Sequence, residues 1–197
     1  MCFAAGIPSY FAKAQVALPF LMDLLGVPHD LFQLYIPSSI VTGKFDSMVT
    51  VMSLLALALT TLIRTRFPRD ILLLVGFSES ARPLTPPDLP RLTWDRFGFG
   101  TNIQDALRLG LAQLAAHRGM QRNLILLTDG EPTAHRDTDG RIHFNHPPTP
   151  ETLARTFAEA DRLRRDGISL AVCVLSAELQ VVRFAEELTR RAGGDLI

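Results

Sequence analysis

Three uninterrupted apolar runs constrain this chain more than any other feature: ILLLVGF at 71–77, NLILLT at 123–128 and ISLAVCVL at 168–175. Each has strand length and lacks the polar–apolar alternation of a half-exposed strand. Each is therefore expected to be covered on both faces. Helical patterns lie between and after them. Residues 102–117 carry Ile103, Ala106, Leu107, Leu111 and Leu114 at helical spacing. Residues 150–166 follow Thr149, a suitable N-cap, with Pro150 in the first turn. Residues 178–191 run to a stop at Gly193-Gly194. Strands alternating with helices predict an α/β fold with a doubly wound, mostly parallel sheet and helices on both faces. Ligands of such sheets bind beyond the carboxyl ends of the strands, so the loops after Phe77, Thr128 and Leu175 are where function is expected.

The length of 197 residues fits one domain. Twenty Lys and Arg balance twenty Asp and Glu. That balance gives no electrostatic argument for nucleic acid and no basic surface for anionic lipid. Cys2 and Cys173 make neither a disulfide framework nor a zinc site. Cys173, inside an apolar run, reads as a small buried hydrophobe, and a cytoplasmic setting is expected.

Residues 47–64 read as a helix that is apolar on nearly all faces. Its sixteen uncharged residues, 48–63, precede Arg64, Arg66 and Arg69. A membrane span wants about 20 apolar residues. A buried helix is the expectation, with a membrane anchor at 48–63 as an alternative. Residues 1–42 are broken by Pro8, Pro19, Pro28 and Pro37. A helix at 12–25 around Pro19 and a strand at 31–36 are what can be read there.

Two segments carry chemistry. In GTNIQDAL, 100–107, glycine turns the chain and Thr101 opens a helix. In LLTDGEP, 126–132, Asp129 stands where an apolar strand ends. A hydroxyl and a carboxylate on neighbouring loop tips are hard oxygen donors of the kind Mg²⁺ takes, alongside water.

GTNIQDAL and LLTDGEP resemble the second and third segments of the metal-ion-dependent adhesion site of von Willebrand factor type A (vWA) domains. The resemblance runs from about Gly43 to Ile197. With IRTRFPRD at 63–70 and LLVGFSESARPLTPPDLP at 73–90, it is similar to the prokaryotic intracellular branch, which partners MoxR-type AAA ATPases or serves in magnesium chelatase. It implies a protein-interaction module rather than an enzyme. Thr101 would ligate Mg²⁺ or Mn²⁺ directly, and Asp129 directly or through water. The ion would bridge to an acidic side chain of a protein partner. The family's first metal segment, Asp-x-Ser-x-Ser, falls near 34–38, where the chain has Leu34-Tyr35-Ile36-Pro37-Ser38. Ser38, or Ser39 with a one-residue slip, is what matches; the aspartate is missing, and Asp30 is too distant. By the same resemblance, 1–42 is a divergent segment, 43–197 is a vWA-like domain, and the last strand stops three residues in. A truncated or frame-altered copy is one expectation. A vestigial or structural domain without metal is the alternative function.

Other residues read more plainly. His135, His143 and His146 with Asp137 and Asp139 crowd one loop but fit no zinc spacing, so surface histidines are expected. Asp137-Thr138-Asp139-Gly140 lacks the glutamate that a calcium loop needs and suits a hairpin turn. Ser78-Glu79-Ser80 lacks a nucleophile elbow, and there is no Gly-x-x-x-x-Gly-Lys-Ser/Thr loop for a nucleotide. Arg155, Arg162, Arg164 and Arg165 read as a solvated helix face.

Overall fold

The computed structural model describes residues 46–91 and 100–197, with side chains of the first helix from Ser53 onward. The expected helix at 12–25, the expected strand at 31–36 and the candidate ligand Ser38 lie outside the described residues. The chain divides into two compact units.

In one unit, helix α1 (Asp46–Arg66) packs against a short 3-10 turn, Pro86–Arg91. Leu55 of the helix and Leu89 of the turn are buried. The hydroxyls of Thr61 and Thr65 donate back to the carbonyls of Leu57 and Thr61 at 2.9 and 2.8 Å, which satisfies them within the helix. Among the described residues no helix is long and apolar enough to cross a membrane. The membrane-anchor alternative at 48–63 is therefore not favoured.

The other unit carries the alternation that the sequence predicts. In order it has β1 (Leu74–Phe77), β2 (Ala81–Leu84), α2 (Ile103–Ala115), β3 (Asn123–Thr128), β4 (Ala134–Arg136), β5 (Ile142–Phe144), α3 (Pro150–Arg165), β6 (Ser169–Val174), α4 (Leu179–Ala192) and β7 (Asp195–Leu196). Strands β3, β6 and β7 form a parallel sheet with β6 in the middle. Asn123 stands opposite Ser169 and Thr128 opposite Val174, so β3 and β6 end level with one another. Helices flank this sheet, and the architecture is the Rossmann-like α/β class.

The core forms where the apolar stripes of the helices meet the middle strand. Ile103 and Leu107 of α2, Leu163 of α3, Leu170 and Val172 of β6, and Leu188 of α4 are all inaccessible to solvent. The rings of Phe157 and Phe184 join α3 to α4 with centroids 5.6 Å apart. Beyond α4 the chain comes so close to β6 that a Cβ on Gly194 would collide with the backbone carbonyl of Leu170. Only glycine lets β7 enter the sheet there.

Two readings of this region need correction. The run 71–77 was expected to be a parallel strand covered on both faces. Only Leu74–Phe77 is a strand, its residues are half-buried, and it pairs antiparallel with β2, with Leu74 opposite Leu84. The first part of the expected loop 78–96 is thus the tight turn of a hairpin and its returning strand. The hairpin expected at Asp139-Gly140 is present as β4–β5, with His135 opposite His143.

Candidate functional site

The site is built from the turn into α2 outward. Gly100 has a φ of 117°, a conformation that side-chain-bearing residues avoid, and it swings the chain into Thr101. The Thr101 N–H donates to Thr133 Oγ1 at 2.9 Å. Its carbonyl accepts from the N–H groups of Thr133 and Ala134 at 3.0 and 3.4 Å. Thr133 lies four residues past Asp129, so the loop that leaves β3 is fastened directly to Thr101.

Thr101 precedes α2 but does not cap it. That role belongs to Asn102, which is wholly buried. Its Oδ1 accepts from the Asp105 N–H at 3.0 Å, closing the first turn of α2. Its Nδ2 donates to the Glu79 carbonyl at 2.8 Å, and its own N–H donates to Ser78 at 2.6 Å. One side chain thereby caps α2 and holds the β1–β2 turn.

Gln104 and Asp105, also buried, extend the frame. Gln104 accepts the Arg136 N–H at 2.7 Å and donates to the Arg136 carbonyl at 3.3 Å. The Asp105 carboxylate accepts from the Ala81 N–H at 3.0 Å, from Arg108 at 2.8 Å, and from two nitrogens of Arg136 at 3.3 Å. Burial opposes its ionisation. The Arg136 hydrogen bonds, the Ala81 amide and the charges of Arg136 and Arg108 outweigh burial and hold the carboxyl below its ordinary range. Three segments, 78–81, 101–105 and 133–136, are thus tied into one rim.

Asp129 stands at the end of β3, half-buried. Thr128 beside it turns the chain through its hydroxyl, which donates to the Gly130 carbonyl at 3.0 Å. Burial, reinforced by the charge of Glu178 at the start of α4, pushes the Asp129 carboxyl up. Glu131 is raised for the same two reasons, and the charge of His146 offsets part of that. Negative charge therefore collects at the carboxyl end of the sheet, where the open-sheet rule puts ligands. Glu131 also rims an open groove of ≈ 510 Å³ between α3 and α4, floored by Leu153, Phe157 and Phe184.

Of the residues picked out as metal ligands, the structure brings the Thr101 segment against the loop that follows Asp129. Among the described residues no group of three or more His, Cys, Asp or Glu is placed to hold a metal ion. A divalent ion here would draw on Asp129, the Thr101 hydroxyl and water, which suits Mg²⁺ better than a soft metal.

The histidines were expected at the surface, and His135 is not: it is 3% exposed. Its Nδ1 is 2.9 Å from Thr152 Oγ1, and its ring stacks on His143 with centroids 5.1 Å apart. His143 is exposed and pairs with Asp137 at 2.7 Å. The arginines do lie on accessible faces: Arg155 pairs with Glu151 and Arg162 with Glu159. Asn102, Gln104, Asp105 and Arg136 were not singled out from sequence, although three of them lie inside GTNIQDAL. The signal available was a run of polar residues in the first turn of a helix whose next turns are apolar.

Comparison with known proteins gives a family model, described as Rv0959-like protein, vWA domain, that matches residues 38–197. The chain is 36% identical over 146 residues to the uncharacterized protein Rv0959 of Mycobacterium tuberculosis strain H37Rv. It is equally similar to the uncharacterized protein Mb0984 of Mycobacterium bovis. The match covers 72% of this chain and 22% of each relative, so the chain spans under a quarter of their length. No solved structure matches it significantly.

Proposed function

The chain belongs to the Rv0959-like vWA domain family, and from that premise we propose that it is a protein-interaction module that captures an acidic side chain of its partner through a divalent cation. Thr101 and Asp129 would hold the ion; Ser38, the further hydroxyl that the resemblance offers, lies outside the described residues. The ion would be Mg²⁺ or Mn²⁺, and its chemistry is to bridge carboxylates. The chain's own residues do the rest. Asn102, Gln104 and Asp105 fix the rim, and Asp129 presents a carboxylate that burial and Glu178 leave electrostatically unfavourable without a cation. The observation that carries the reading is geometric: the Thr101 backbone is fastened to Thr133, four residues past Asp129. The partner we propose is a MoxR-type AAA ATPase, in the cytoplasm, and the module itself performs no catalysis. A second reading, a structural domain that docks without metal, draws on residues 34–38, where the family's aspartate is missing.

A thermal melt in EDTA and then in excess Mg²⁺ or Mn²⁺, beside Asp129→Ala, tests the proposal. Metal at about 100-fold above Kd stabilises by roughly 2.7 kcal/mol. For a domain of this size that is a rise of roughly 5–11 °C in Tm. Asp129→Ala is expected to lose that rise and to lose retention on an immobilised MoxR-type ATPase. A cooperative melt unmoved by either metal would leave the structural reading.

A further inference from the structure

Outside the rim, the least expected arrangement is the His135–His143 stack, and its neighbours say what it can do. His135 is buried where the β4–β5 hairpin meets the start of α3. Thr152, its hydrogen-bond partner, is wholly buried and also contacts Thr149, the cap of α3, at 2.9 Å. From α3, Glu151 and Arg155 face His135, with Glu151 3.8 Å from Nε2. From the hairpin it faces His143 and, through that ring, Asp137. A neutral His135 fits this place. A protonated one puts a buried cation at the positive end of a helix, beside Arg155 and against a second imidazole. Glu151 is largely exposed and already paired with Arg155, so it offsets little of this.

We propose that the His135–His143 stack is an acid-sensitive latch: it holds the β4–β5 hairpin on α3 near neutral pH and releases it on acidification, loosening the Thr101 rim. The hairpin is mechanically continuous with that rim. Arg136, next to His135, is gripped by Gln104 and Asp105, and Thr133, two residues before His135, holds the Thr101 backbone. Burial, with lesser help from Arg155 and His143, keeps the His135 imidazole below its ordinary value despite Glu151 and Asp137. The docked hairpin therefore binds fewer protons than the released one. Docking is favoured above about pH 6.5 and is lost progressively as pH falls from there towards the depressed value. The final step, from hairpin to metal, rests on the function proposed above; the latch itself does not.

The test is amide hydrogen exchange of the metal-free chain at about pH 7.5 and about pH 5, on either side of the ordinary histidine value, corrected for intrinsic exchange. Protection of residues 134–144 is expected to fall at the lower pH, by at most about 30-fold, the limit that linkage to one histidine of ordinary pKa sets over this range. His135→Phe keeps a ring in the stack but takes up no proton, and its protection is expected to be the same at both values. Equal protection of the wild type at both values, or the same loss in His135→Phe, would overturn the latch. Should His135→Phe not fold, an NMR titration of the wild-type His135 ring decides: a midpoint at or above the ordinary value overturns the proposal. Repeating the Mg²⁺ melt at both pH values separates the two ideas. A hairpin that opens while the metal response stays constant removes the coupling. A hairpin that opens in a chain with no metal response at either pH leaves the latch and removes the metal.

Discussion

Gln104 holds Arg136 by its backbone, accepting from the amide and donating to the carbonyl as a neighbouring strand would. Gln104→Ala leaves the Arg136 N–H without its partner, while the carbonyl keeps only the long contact from Arg155 Nη1 at 3.5 Å, and an unsatisfied group costs about 1–3 kcal/mol where water does not reach it. A lower denaturation midpoint with an unchanged slope is the expected result. Gln104→Glu keeps the acceptor and loses the donor, and should fall between the two. Wild-type stability for Gln104→Ala would mean the grip contributes nothing.

Asp105 makes a pH-dependent contribution of defined sign. Its folded carboxyl is held below the ordinary range by Arg136, the Ala81 amide and Arg108 acting against burial. The stability it adds is complete above about pH 4 and is lost as pH falls through the depressed folded value. Asp105→Asn should cost roughly 1–3 kcal/mol at neutral pH. The gap to wild type should narrow in acid denaturation series, and a gap that stays constant down to low pH would refute the assignment.

Asp129 has the opposite sign. Burial and Glu178 raise its carboxyl, so the folded chain holds this proton more tightly than the unfolded one. The associated stability is present below the ordinary carboxylate range and is lost as pH rises through the raised value. At neutral pH the ionised group is a burden on the metal-free domain. Asp129→Asn is therefore expected to raise Tm in EDTA while abolishing any response to Mg²⁺. A lower Tm in EDTA would show that the carboxylate serves the fold instead.

Gly194→Ala sets a methyl group against the Leu170 carbonyl, a rigid backbone atom of the middle strand. Overpacking of this kind costs roughly 1–3 kcal/mol. The damage should concentrate in β7, read as lost amide protection at Ile197, whose N–H donates to Val172 at 2.8 Å.

Much of the fold was legible because burial leaves a simple mark. The runs at 123–128 and 168–175 are apolar at successive positions, and they appear as β3 and β6 within a residue or two of the reading; β6 is the covered middle strand, whereas β3 ends the described sheet and leaves Ile125 exposed, against the expectation of cover on both faces. Thr149 and the Asp139-Gly140 turn were legible because local chemistry decides them. Strand β2 was not: ARPL has no alternation, and Pro83 argues against a strand until one sees that it sits in a two-stranded hairpin. At the site, Thr101 and Asp129 were picked out from their chemistry and by resemblance. Asn102, Gln104 and Asp105 were missed because polar residues in a first helical turn ordinarily face water. Their partners Glu79, Arg136 and Ala81 come from segments more than twenty residues away. His135 was misread for the same reason: Thr152, which buries it, is seventeen residues on.

Cys173 sits in β6, between β3 and β7, with a thiol that burial pushes up. A thiolate-seeking reagent meets it only when the layer packed over that face of the sheet opens. In a Cys2→Ser chain, the pace of its alkylation under native conditions becomes a clock for the breathing of the sheet, read from mass alone. That clock would run without isotope or fluorophore, and by its slowing it would register whatever ion or partner settles at the carboxyl end of those strands, close beside Cys173.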